Sequence, residues 1–76
     1  MIKQSFTERV ATEVRAELGR QRRSASWLAR EVGLSQSTVS RRLTGELPFD
    51  LDQIEAVAAC LNMPLSNFLR TDISSR

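Results

Sequence analysis

The 76-residue chain has no histidine, no tyrosine and a single cysteine, Cys60. One cysteine cannot form a disulfide within the chain, and a zinc site needs several Cys or His ligands. Cys60 lies in the apolar run Val57-Ala58-Ala59-Cys60-Leu61, with no general base to activate it, so it reads as a core thiol rather than a nucleophile. There are only three glycines, and none of them builds a glycine-rich phosphate loop. No apolar run is long enough to span a membrane, and no secretory leader pattern opens the chain; the expectation is a cytoplasmic protein. These gaps argue against an enzyme, and no metal, cofactor or small-molecule ligand is expected.

What the chain does contain fits one small domain over residues 1–76, with a core over about residues 5–70 and a frayed tail at 71–76. A chain this short buries only about 60% of its unfolded surface, so its stability is marginal. The apolar fraction of 41% suffices for a core, and a Leu-, Ala- and Arg-rich composition favours an all-α fold. Charge is unevenly placed. Residues 1–19 balance Lys3, Arg9 and Arg15 against Glu8, Glu13 and Glu17. Residues 20–45 hold Arg20, Arg22, Arg23, Arg30, Arg41 and Arg42 against Glu31 alone, a net +5. Residues 46–75 hold Arg70 against Glu46, Asp50, Asp52, Glu55 and Asp72, a net −4. The basic segment suits a polyanion on one face of the domain.

Five helices are expected. The first runs from about Phe6 to Arg20, opened by the capping box Ser5-Phe6-Thr7-Glu8. Phe6, Val10, Val14 and Leu18 form its apolar stripe, and Gly19 is either an interior blemish or an early stop. The second begins near Ser24 or Ala25 and ends at Val32, with Leu28, Ala29 and Val32 inward. Gly33 then supplies a left-handed turn. The third, capped by Ser35, runs from Gln36 to about Thr44 and is anchored by Val39 and Leu43. At 100° per residue, Gln36, Ser37, Ser40, Arg41 and Thr44 share one polar arc away from those anchors. Leu47 and Phe49 are expected under the following loop. The fourth helix starts after the box Asp50-Leu51-Asp52-Gln53, with Leu51, Ile54, Val57, Ala58 and Leu61 facing the core and Asn62 as a left-handed stop. Pro64 opens a short fifth helix whose apolar side is Leu65, Phe68 and Leu69.

Gln36, Ser37 and Arg41 are residue types that read base edges in DNA. Ala29, Gly33, Leu34 and Val39 have helix-turn-helix spacing, and the apolar run over 51–65 follows at the right distance. Over roughly residues 5–70 the chain resembles a lambda-repressor-like, or Xre-type, DNA-binding domain. The resemblance implies a compact five-helix domain whose helix-turn-helix is formed by the second and third helices, the third entering the major groove of double-stranded DNA. It also implies a transcriptional regulator, above all a phage-type repressor, acting as a dimer on half-sites about one helical turn apart.

Carried onto this sequence, base contact is expected from Gln36, Ser37, Ser40 and Arg41, with Ser40 and Thr44 at the edges of that face. Phosphate contact is expected from Arg22, Arg23, Ser24, Ser26, Arg42 and Thr44, the serines opening the second helix. Two positions depart from the pattern. Ala25 replaces a frequent bracing glutamine. Arg42 replaces an apolar residue, so either the third helix turns onto Val39 and Leu43, or Arg42 lays its stem along the core edge and sends its head to a phosphate. Trp27 either stacks on a nucleotide or packs over the core edge or a partner chain. Phe68, Leu69 and Ile73 either close the core or form a homodimer patch. Two other functions use the same fold: an antitoxin or protein-interaction module with an acidic interface, and the N-terminal DNA-binding domain of a longer immunity repressor.

Overall fold

The computed structural model describes residues 5–69, and these form five helices with no strand among them. In chain order they are α1 (Phe6–Gln21), α2 (Ala25–Val32), α3 (Gln36–Leu43), α4 (Leu51–Cys60) and α5 (Ser66–Leu69). No helix among the described residues is long and apolar enough to cross a membrane.

Capping chemistry sets most of the helix starts. The Ser5 hydroxyl accepts from Glu8 N–H at 3.1 Å while the Glu8 carboxylate accepts from Ser5 N–H at 3.1 Å, a complete capping box. Asp50 and Gln53 repeat that reciprocal pair at the start of α4. Ser24 caps α2 and Ser35 caps α3, each accepting from the N–H three residues on. Four of the stops lie in the left-handed region: Arg22 at φ 57° after α1, Gly33 at φ 74° after α2, Gly45 at φ 85° after α3 and Asn62 at φ 61° after α4. Gly45 has a second constraint, since a Cβ there would lie 3.1 Å from Glu8 Cγ.

One core joins the helices. α2 packs on α3 and α4, and α1 packs on α3 and α5. Val14, Leu28, Val39, Val57 and Leu61 are fully buried at the centre, with Ile54 beside them. Ala29 is buried on α2, the helix that packs on both α3 and α4. Phe68, only 3% exposed, closes the core from α5. It is therefore not on an outer surface where a second chain could meet it. The Leu69 side chain and Ile73, the other two residues of the expected dimer patch, lie outside what is described.

Three apolar expectations are corrected. Phe6 is 48% exposed and Leu51 is 73% exposed, although both continue the stripe of their helix. Each is the first residue after its N-cap. The Cα–Cβ bonds of a helix tilt toward its N-terminus, so a side chain at that position hangs past the end of the core. Leu47 is 36% exposed rather than tucked in, whereas Phe49 is half-buried against the core. The fifth helix also begins at Ser66, two residues later than expected. Pro64 and Leu65 instead accept from Asn67 and Phe68 N–H at 3.0 Å each, in a tight i→i+3 turn.

Polar ties hold the far end of α1. Glu17 is buried and accepts from Gln21 Nε2 at 2.9 Å and Arg20 Nη1 at 2.5 Å. Gln21 Nε2 also donates to the Leu61 carbonyl at 2.8 Å, joining the end of α1 to the end of α4. The hydrogen bond from Gln21, and then the Arg20 guanidinium, hold the Glu17 carboxyl below its ordinary range against the opposing effect of burial. A carboxyl whose folded pKa is depressed stabilises the fold above its unfolded pKa, and that stability is lost as pH falls through the folded pKa. Between about pH 6 and pH 3, spanning the ordinary carboxylate range, the unmodified chain is expected to lose more stability than Glu17→Gln. Urea midpoints at the two pH values check this, and equal losses would contradict it.

Candidate nucleic-acid interface

The α1–α2 joint brings the first cations to the surface. α1 continues through Gly19 and stops when Arg22 turns left-handed, at φ 57°. Arg22 N–H donates to the Gly19 carbonyl at 3.2 Å and Arg23 N–H to the Leu18 carbonyl at 2.9 Å. This is the Schellman pattern, with an arginine where glycine is favoured. Both arginine side chains are exposed beside the first turn of α2. A non-glycine residue in this backbone region costs roughly 1–2 kcal/mol. Arg22→Gly is expected to raise stability by up to about 1 kcal/mol while weakening binding to a polyanion. Thermal melting and a DNA titration check the two halves. A fall in melting temperature would contradict the first.

From Ser24 the chain enters α2, turns at Gly33 and re-enters helix at Gln36. The turn is drawn tight by Leu34 N–H donating to the Ala29 carbonyl at 3.0 Å. Val39 and Leu43 are buried beneath α3, and the opposite side carries Gln36, Ser37, Ser40, Arg41 and Thr44, all exposed. The structure therefore brings all five residues of the expected polar arc onto one open face.

Two ties fix this face. Ser26, in the first turn of α2, donates its hydroxyl to Gln36 Oε1 at 3.1 Å. Gln36 is thus held with its amide nitrogen still available. At the other end of α3 the Arg15 guanidinium, reaching over from α1, donates to the Leu43 carbonyl. A cation there also complements the negative end of the helix dipole. The Arg41 carbonyl accepts from Glu46 N–H at 3.0 Å, Leu47 N–H at 3.2 Å and the Thr44 hydroxyl at 2.9 Å, so the backbone beneath the Arg41 side chain is locked.

Arg42 is half-buried and turned the other way. Its Nη1 donates to the Pro48 carbonyl, which ties α3 to the loop before α4, and its buried Nε has no hydrogen-bond partner. Of the two expected arrangements the buried Val39 and Leu43 fit the first, with α3 turned onto both, and the Arg42 head meets a loop carbonyl of the chain itself rather than being left free for a phosphate. Trp27 is half-buried against the core and carries Arg23 over its ring, with the guanidinium carbon 4.6 Å from the ring centroid. Among the described residues the single ion pair is Arg20–Glu17, so Arg22, Arg23, Arg30 and Arg41 carry charge that no carboxylate neutralises at contact. Between residues 46 and 69 the charged residues are Glu46, Asp50, Asp52 and Glu55, all exposed.

A family model described as the BetR domain matches residues 2–75, nearly the whole sequence. The chain belongs to the BetR domain family. The fold of this BetR domain is also similar to the crystal structure of the clp gene regulator ClgR from C. glutamicum. The TM-score is 0.83 at 15% identity, covering 88% of this chain and 87% of that one. At that identity the likeness concerns the fold. No curated protein sequence matches the chain.

Some features of the BetR domain's α2–α3 face carry no local sequence signal. The Ser26–Gln36, Arg15–Leu43 and Arg42–Pro48 ties join residues from different elements or from a helix and the loop beyond it. The Arg23–Trp27 contact has a local signal, a basic residue four before an aromatic at a helix start. Cys60, at the margin of the core, donates its thiol to the Val57 carbonyl at 3.4 Å. Burial, and then the Glu31 carboxylate, push its pKa up, so it is held as the unreactive thiol.

Proposed function

We propose that this domain binds double-stranded DNA sequence-specifically and regulates transcription, in the lambda-repressor-like manner and most simply as a phage-type repressor. The observation that carries the reading is the open face of α3, with Gln36, Ser37, Ser40 and Arg41 outward and Gln36 held by Ser26. Gln36 suits the two-bond edge of adenine and Arg41 suits O6 and N7 of guanine. Arg22 and Arg23, beside the N-terminus of α2, grip phosphates and set the register of α3 in the major groove. Ser24 contributes as the cap of that helix. Ser26 acts chiefly through Gln36, and Thr44 and Arg42 chiefly by holding the end of α3. An eight-residue helix spans only a short half-site, so two copies on a palindrome with half-sites about 10 base pairs apart supply the specificity.

The test is an equilibrium titration of random-sequence duplex at rising salt. Each phosphate neutralised adds about 0.9 to the slope of log affinity against log salt. A slope of several units supports the reading, and no binding even at low salt overturns it. A second reading, a module whose partner is a basic protein surface, is favoured by the exposed Leu47 and Leu51 among Glu46, Asp50, Asp52 and Glu55. Absence of DNA binding in that titration would put it first.

A further inference from the structure

We propose that Trp27 is a positioning residue for DNA binding: its ring holds the Arg23 guanidinium in place before a phosphate arrives. The inference rests on the reading of Arg23 as a phosphate contact. Three observations carry it. First, the Arg23 backbone is already fixed, its N–H bonded to the Leu18 carbonyl at 2.9 Å just after the left-handed turn at Arg22. Second, the platform is fixed too. Trp27 N–H donates to the Ser24 hydroxyl at 3.0 Å, and the ring is half-buried against the core. Third, the guanidinium carbon of Arg23 lies 4.6 Å from the centroid of that ring, inside the range of cation–π attraction.

An exposed arginine samples many rotamers, and gripping a phosphate removes that freedom. Stacking on a fixed ring removes part of it in the free protein, so less is lost on binding. The contact holds the guanidinium carbon over the ring, and the exposed Arg23 keeps N–H groups for a phosphate oxygen.

The experiment is a double-mutant cycle on the whole chain, read as affinity for random-sequence duplex at about 0.1 M salt, where phosphate contacts dominate affinity, with a melting curve for each variant. Trp27→Leu is expected to bind about two- to five-fold more weakly, the worth of an exposed cation–π contact. Trp27→Phe should recover most of that loss. In the Arg23→Ala background, Trp27→Leu should change affinity by less than about 1.5-fold, because the side chain it positions is gone. A merely structural tryptophan would lower affinity equally in both backgrounds, and that result overturns the inference. Should Trp27→Leu not fold, the same cycle is run with Trp27→Met: a loss confined to the background that keeps Arg23 supports the platform, and an equal loss in both backgrounds overturns it. If the unmodified chain binds no DNA, the DNA-binding reading itself fails, an outcome separate from one in which the chain binds and the cycle shows no coupling.

Discussion

Arg41→Ala is expected to cost about 1–3 kcal/mol of binding to the preferred DNA site and to relax the preference at one base pair. Arg41 is exposed on α3, and its carbonyl is held by three donors from the loop beyond. The side chain therefore leaves a fixed backbone on the face opposite the buried Val39. A guanidinium there can offer two parallel N–H groups to guanine, which alanine cannot replace. The folded domain should hardly notice, since surface substitutions of this kind stay within about 0.5 kcal/mol. Arg23→Ala gives the contrast. A phosphate contact carries no sequence information, so its loss should weaken all duplexes alike and flatten the salt dependence. Competition between the preferred site and a scrambled one separates the two. Identical behaviour of both variants on both DNAs would show that the roles of the two arginines are wrongly sorted.

The second large effect is on stability. Leu28→Ala is expected to cost about 2–5 kcal/mol, the range for removing a buried leucine side chain from a core that cannot collapse around the gap. Leu28 is fully buried on α2, which packs on both α3 and α4, so three helices would border the cavity. A domain of this size has roughly 4–11 kcal/mol in all, at 0.05–0.15 kcal/mol per residue. The variant should melt far below the parent, and DNA binding should fall with the folded fraction. Urea unfolding measures it as a lowered midpoint with an unchanged slope. A loss under about 1 kcal/mol would mean that α2 is not seated on the core as described.

The reach of the sequence follows from which signals are local. Ser5 with Glu8, Ser24, Ser35, and Asp50 with Gln53 all act within one helical turn, and each lies where its spacing indicated. Gly33 and Asn62 could be read for the same reason, as residues that tolerate a left-handed backbone. The polar arc of α3 follows from the 3.6-residue period with Val39 and Leu43 as anchors. Phe6 and Leu51 misled because periodicity says which side of a helix is apolar, not how far the core extends along it. Arg22 was not legible as a stop, since nothing in its chemistry favours a left-handed backbone; the bonds at Leu18 and Gly19 impose it. Arg15 on Leu43 spans 28 residues and Ser26 on Gln36 spans 10, and such pairings depend on the packed fold rather than on neighbouring sequence. Arg42 illustrates both sides. Its departure from an apolar residue beside Leu43 marked the position as unusual, whereas its bond to the Pro48 carbonyl depends on the path of the loop.

The central claim is that the α3 face reads DNA sequence. Selection of bound duplexes from a random pool at about 0.1–0.15 M salt tests it most directly, because nonspecific attraction to phosphate is already weakened at that ionic strength. A palindrome with half-sites about 10 base pairs apart is expected to be enriched, with the preference lost at the base pair that Arg41 reads when Arg41→Ala is selected in parallel. A pool that emerges without any enriched sequence, from a chain shown to be folded, would contradict it.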